Sequence, residues 1–364
     1  MITIRPALVR GRVGRPGIRH GIPAMLLALV AATSAWGQGP RQVVLTRETK
    51  DHPPSRADAD PAGLFRFEPT GLSLLRPYRR GKIPVLFVHG LWSNPRSWSR
   101  MIEDLEADPQ IMDRFQFWTY GYSTGDPILY SASLLRRDLE EARRKFDPAG
   151  TDAAFDRIVV VGHSLGGLLA KMMAQDSGDR LWRITTSDRP FEELAGDPDD
   201  LGLFRRCLFF RPRPEVRRVV FIATPHRGSR VDRGPLQGLA LRVVRVPDPL
   251  RAAHDRLVAR NGPAAFREFV RRGLPTSIDE LGWESPTVTG LGELRLADGV
   301  VAHSIIADLR DPPRAGGGDG LVSYDSAHLN GVASEALVSA GHLCQAHPAV
   351  IREVRRILAD HGGR

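Results

Sequence analysis

The chain has 364 residues, 42% apolar and 26% charged, ordinary for a soluble globular protein and long enough for one large α/β domain with insertions. Its formal charge is +9, but five arginines (Arg5, Arg10, Arg12, Arg15, Arg19) lie in the first 37 residues, which contain no acid; without them, 46 basic residues face 42 acidic ones. The other arginines alternate with acids, as in Arg136-Arg137-Asp138 and Glu140-Glu141-Ala142-Arg143-Arg144. That is the pattern of solvated helix faces, so the basic balance does not point to nucleic acid as a partner.

The first 37 residues have the parts of an export signal: a basic start, an apolar stretch from Ile22 to Ala35, and small residues suited to cleavage near Ala35 or Gly37. Residues 1–37 are therefore expected to be a signal peptide, and the protein to be periplasmic or secreted. The apolar run is short for a membrane span, and no cysteine at its end marks a lipoprotein; an uncleaved N-terminal anchor is the alternative. Residues 38–63, rich in Pro, Asp and Arg, read as a linker or lead-in, and residues 64–364 as the folded domain.

Within that domain, 65–75 is a candidate for early edge strands. Ile83 to Val88 is a buried strand running into His89-Gly90-Leu91-Trp92. Asn94 followed by Pro95 opens a helix that reaches Leu105. Phe115 to Tyr122 is the next strand, and Ser131 to Phe146 an amphipathic helix with Leu134, Leu135, Leu139 and Ala142 on one side. Ile158 to Val161 is again a strand, with helix-forming residues from Leu168 onward. Two insertions follow, at about 177–216 and 230–298, separated by the strand 217–224. A strand at 301–307, a glycine-rich loop at 316–322, a short strand at 335–339 and a closing helix at 348–361 complete the chain. Strands alternating with helices predict a mostly parallel, doubly wound sheet.

Between the 158–161 strand and its helix stands Gly162-His163-Ser164-Leu165-Gly166. Strand, sharp turn and helix with a serine at the apex make a nucleophile elbow, in which side chains at 162 and 166 would collide with the neighbouring strand or helix. Ser164 is the candidate nucleophile. A serine hydroxyl needs a base, a group to orient that base, and donors for an oxyanion. Among the late histidines His328, His342, His347 and His361, the best placed is His342, between a short strand and the last helix; His347 is the alternative. Among Asp308, Asp311, Asp319 and Asp325, the choice is Asp319, in its glycine-rich loop, with Asp308 as fallback. The expected oxyanion donors are the backbone N–H groups of Leu91 and Leu165, with the His89 imidazole structural.

The segments VLFVHGLW, VVVGHSLGG, FIATPHRGS, GDGLVSYDSAHL and SAGHL together resemble the α/β-hydrolase superfamily, in its bacterial lipase/esterase branch, over about 82–361 with the insertions unplaced. The resemblance implies the α/β-hydrolase fold with helical cap insertions, and Ser164, Asp319 and His342 as nucleophile, acid and base. The GDGLV segment also resembles lipases with a calcium site, in which an aspartate follows two residues after the catalytic histidine. Here that position is Cys344, so no calcium is expected. No CxxC, HExxH or EF-hand spacing occurs, so no metal or other cofactor is expected either. Spacing alone does not decide whether Cys207 and Cys344 pair.

The function this predicts is hydrolysis of carboxylic esters, of small-molecule or lipid type, through an acyl-enzyme. Acyl transfer, thioester or amide cleavage by the same triad, and a catalytically inactive binding protein on this fold are the rival readings. The insertions are expected to form a cap whose Leu203, Phe204, Leu208, Phe209 and Phe210 line an acyl pocket or contact a membrane surface; ordinary core packing is the competing role for them.

Overall fold

β-branched and aromatic runs form the strands of one sheet, and the segments between them return over its two faces. The computed structural model describes residues 43–44, 70–186, 189–229, 246–283 and 285–362. The export-signal reading of residues 1–37, most of the 38–63 lead-in and the 230–245 part of the second insertion lie outside these residues.

The strands are β1 (Val43–Val44), β2 (Gly71–Leu74), β3 (Ile83–Val88), β4 (Phe115–Gly121), β5 (Ile158–His163), β6 (Val216–Ile222), β7 (Val301–Asp308) and β8 (Ser334–Ser339). Their order in the sheet is β1-β2-β4-β3-β5-β6-β7-β8. β1 and β2 run antiparallel to their neighbours, and every pairing from β4 to β8 is parallel. One strand of two residues thus lies within the stretch read as lead-in. The chain passes from β3 to β4 on one side and then crosses to β5 on the other. The loops after β3 and β5 therefore diverge at a topological switch point, where open α/β sheets place their ligands.

Alternation along the strands divides the core in two. Val85, Phe87, Phe117, Val159, Val161, Val220 and Ile222 face one layer, and Leu86, Val88, Trp118, Tyr120, Val160, Val219 and Phe221 the other. Helices α1 (Ser99–Glu106), α2 (Pro109–Arg114) and, at the end of the chain, the helix Pro348–Gly362 cover the first face; α3 (Ile128–Phe146) and α4 (Leu165–Met172) cover the second. Asn94 accepts from the Arg96 N–H at the start of the 3-10 turn Pro95–Trp98 that leads into α1, as its position before a proline predicts. Helix α3 begins three residues earlier than its sequence pattern indicates. Its first N–H, on Ile128, is capped by a carboxyl oxygen of Glu280 from a segment about 150 residues away, a partner that no local pattern reveals.

The insertions are helical. The first holds α5 (Arg180–Thr185) and α6 (Pro198–Leu208); the second holds α7 (Asp248–Asn261), α8 (Glu268–Arg271), α9 (Ser277–Glu280) and α10 (Pro286–Glu293). After β7 come α11 (Tyr324–Ala327), β8 and the closing helix, α12. Cys207 and Cys344 are both free and buried, each in the core on a different face of the sheet. No helix among the described residues is long and apolar enough to cross a membrane.

Five buried histidines are held neutral. Burial is the main cause for each, pushing His89, His303 and His361 down to about 4, His163 to about 3 and His226 well below 6.5. The guanidinium of Arg218, bonded to both His303 and His361, adds to the effect on those two. Unfolding lets each ring take up a proton below about 6.5. Their stabilising contribution is therefore complete above that pH and is lost as pH falls toward 4. Glu280, pushed up to about 8 by burial, has the opposite sign but is a single group. The urea midpoint should fall steadily between pH 6.5 and 4.5, and His303→Gln should flatten that slope. A midpoint constant over this range would contradict the assignment.

Candidate active site

The elbow is built by close approach. Ser164 has φ 52° and ψ −124°, a conformation unfavourable for a side-chain-bearing residue. Its N–H donates to the Ile222 carbonyl of β6 at 2.9 Å, pinning the turn to the sheet. A Cβ at Gly162 would sit 2.5 Å from the Gly166 carbonyl oxygen, and one at Gly166 would sit 2.3 Å from the Val88 and His89 carbonyl oxygens. The first glycine lets the helix start against its own strand, and the second lets it approach β3. The hydroxyl is thereby held at the carboxyl edge of the sheet, at the switch point.

The structure brings Ser164, His342 and Asp319 together. Ser164 Oγ lies 2.8 Å from His342 Nε2, and His342 Nδ1 lies 2.8 Å from Asp319 Oδ2. A carboxylate only accepts, so Nδ1–H donates to Asp319 and Nε2 is left to accept the serine O–H. The other carboxylate oxygen, Oδ1, accepts from the Leu321 and Val322 N–H groups at 2.9 and 2.7 Å, and the His342 N–H donates to the Asp319 carbonyl. Carboxylate and imidazole are thus oriented by backbone as well as by each other. The fallback acid, Asp308, pairs with Arg310 and accepts from the Arg314 and Gly318 N–H groups. The Arg310 side chain holds its carboxyl well below the usual range. Asp308 ties down the loop that carries Asp319 and does not bond His342.

His347 accepts from the Ala349 N–H at the start of α12, and His328 pairs with Glu335; neither bonds Ser164. His163, inside the elbow motif, has a part that the sequence reading missed. Its Nε2–H donates to the His342 carbonyl at 2.8 Å and so holds the loop of the base. Its position directly before Ser164 was the available signal. His89 stacks on Tyr122 with ring centres 4.5 Å apart, and Tyr122 Oη–H donates to the His89 carbonyl. These contacts fit the structural reading of its imidazole.

Of the two expected oxyanion donors, Leu165 is the first residue of α4, whose N–H has no acceptor within the helix. Leu91 follows Gly90, which packs on the elbow: a Cβ at Gly90 would sit 3.0 Å from Ser164 Cβ. The Leu165 amide thus adjoins the serine in the chain, and the Leu91 amide adjoins a residue packed on it.

At the same edge of the sheet, the cap forms a partly open, largely apolar cavity of about 100 Å³ with Pro127, Leu129, Trp182, Phe204, Leu208 and Leu257 in its wall. Of the five residues expected to line an acyl pocket, Phe204 and Leu208 line this cavity. Leu203 packs on the core, Phe209 packs on Phe191, and Phe210 lies under the Arg136 guanidinium. Trp92 N–H donates to Thr124 Oγ at 3.3 Å, and the three residues from there to Pro127 span at most about 11 Å. The cavity is thus linked to the Leu91 loop through Pro127, while Ser164, His342 and Leu91 are not in its wall. Among the described residues, no group of three or more His, Cys, Asp or Glu side chains could hold a metal ion.

Residues 85–354 match the model of the alpha/beta hydrolase family. Solved structures that the chain resembles include EstA from Clostridium botulinum (12% identity, 79% of this chain and 89% of that one, TM-score 0.45). Others are lipase 1 from Pelosinus fermentans (12%, 79% and 100%, 0.44) and the mature form of the Bacillus licheniformis lipase BlEst2 (15%, 76% and 92%, 0.39). These are likenesses of chain path and assign no residue a role. No curated protein matches the chain.

The two aspartates should separate by experiment. Asp319→Asn should slow labelling of Ser164 by a fluorophosphonate about a hundredfold or more with little change in Tm. Asp308→Asn should lower Tm and leave labelling of the folded protein within about threefold, since it removes a loop anchor and no hydrogen bond to the imidazole. The reverse outcome would exchange their roles.

Proposed function

The chain belongs to the alpha/beta hydrolase family, and from that premise we propose that it is a serine hydrolase that cleaves carboxylic esters through an acyl-enzyme. The observation that carries this reading is the pair of 2.8 Å contacts linking Asp319, His342 and Ser164 at a strained elbow. Ser164 Oγ attacks the ester carbonyl as His342 Nε2 takes its proton. The Leu91 and Leu165 N–H groups receive the developing oxyanion. His342 then passes its proton to the leaving alcohol, and the acyl group remains on Ser164. Water attacks next, with His342 again as base, and the acid is released. Asp319 keeps the imidazole in the required tautomer and stabilises its cationic form.

The cap cavity is the acyl site in this reading, supported by its apolar wall and by the short chain link from Pro127 in that wall to Thr124, which bonds the Leu91 loop. Exposed Leu309 and Leu343 add an apolar rim beside Gly341 and His342, which suits an apolar ester arriving from a lipid phase. Export rests on the basic and apolar segments of the first 37 residues and would be tested by fractionation of cells carrying the full chain.

Ser164→Ala should abolish turnover of a short-chain nitrophenyl ester; turnover near the wild-type rate would sink the mechanism. Leu208→Trp, which fills the cavity wall, should shift preference toward shorter acyl chains by about tenfold in kcat/KM, on the scale of one or two methylenes. An unchanged chain-length profile would remove the cavity from the substrate path.

A further inference from the structure

The Leu91 loop is held from two sides. On one, Gly90 packs against Ser164, where an added Cβ would sit only 3.0 Å from Ser164 Cβ. On the other, Trp92 has a positive φ of 53°, a conformation that residues with side chains keep only where their surroundings impose it, and its N–H donates to the hydroxyl of Thr124. Trp92 N belongs to the peptide unit directly after Leu91, so this bond fixes the plane that follows the expected oxyanion donor.

Thr124 is fully buried and opens a turn that the cap grips. Its carbonyl accepts from the Ser277 hydroxyl, the Gly125 carbonyl accepts from the Ser277 N–H at 3.4 Å, and the Ile128 N–H donates to Glu280. Ser277 and Glu280 are the two ends of α9. That short helix is braced by a capping box between Thr276 and Asp279 and joined to the loop after β6 by the Ser229 N–H to the Leu281 carbonyl. A continuous hydrogen-bonded path thus runs from a cap helix, through one buried threonine, to the amide next to Leu91.

We infer that Thr124 and Ser277 are positioning residues, which hold the Leu91 N–H in line with the oxyanion and tie its alignment to the seating of the cap. The inference rests on the ester-hydrolase reading above. An oxyanion donor contributes only when aimed at the position the charged oxygen will take, and supporting groups set that aim to a fraction of an ångström. Loosening the loop therefore weakens binding of the transition state and leaves binding of the ground-state ester nearly as it was.

The test compares Thr124→Val, Thr124→Ser and Ser277→Ala in the full chain, by steady-state hydrolysis of nitrophenyl butyrate and amide exchange over 90–93. Thr124→Val should lower kcat about tenfold or more, leave KM within about threefold, and speed exchange at Leu91 and Trp92. Thr124→Ser, which keeps the hydroxyl, should restore both. Ser277→Ala should act in the same direction, and added to Thr124→Val it should change little, because the two lie on one path. If Thr124→Val does not fold, Ser277→Ala alone carries the comparison. A lowered Tm with unchanged kcat and unchanged exchange would overturn the positioning role. Wild-type protein with no turnover and no fluorophosphonate adduct on Ser164 would overturn the hydrolase reading instead. The exchange measurement would still decide whether the path holds the loop.

Discussion

The site depends on how closely the first turn of α4 approaches the ends of β3 and β5. That approach is set by what is missing: no side chain at Gly162, Gly166 or Gly90 separates the three backbone segments. It forces Ser164 into a positive φ at the start of a helix, with Gly90 at the end of β3 packed against it. Strain of this kind costs about 1–3 kcal/mol and persists only where the surroundings overdetermine it. Here the Ile222 carbonyl, the Gly90 loop and the helix itself supply that constraint.

Around this point the molecule uses burial to control charge. His89 and His163 touch the elbow region through hydrogen bonds and packing, yet burial keeps both neutral. They serve as fixed donors and stacking surfaces and do not compete with His342 for a proton. The two nearby aspartates divide in a similar way. Asp308 spends its charge on Arg310 and on backbone amides of its own loop, whereas Asp319 turns one oxygen to the imidazole and the other to the Leu321 and Val322 amides. A carboxylate already neutralised by arginine is poorly suited to stabilising an imidazolium.

The cap bears on the core at the amino end of α3 and the turn before it. Glu280, Ser277 and the 124–128 segment join two parts of the chain about 150 residues apart in sequence. Pro127 and Glu280 of this junction also line the cavity. Changes in how the cap seats can therefore reach both the cavity and the Leu91 loop through the same few residues.

Local chemistry was legible from the residues alone. Alternating apolar strands, the Asn94-Pro95 helix start, the elbow with its glycines, and the order of Ser164, Asp319 and His342 all follow from short-range sterics and chain order, which a linear pattern records. Their meeting at 2.8 Å was an expectation that only tertiary structure could turn into distances. Other features left no linear trace: the early start of α3, the bond from His163 to the His342 carbonyl, and which of the apolar cap residues face the cavity. Phe204 and Leu208 cannot be told from Leu203, Phe209 and Phe210 by composition. What separates them is which neighbours, from α3, α7 and the Arg136 side chain, arrive on each side. The sequence by itself determined the turn geometry, the layers of the sheet and the candidate reacting groups, because each is a local steric or periodic demand. Tertiary structure alone decided which carboxylate meets the imidazole, what caps α3 and what holds the Leu91 loop, because those partners lie 23, 152 and 32 residues apart in the chain and come together only through folding.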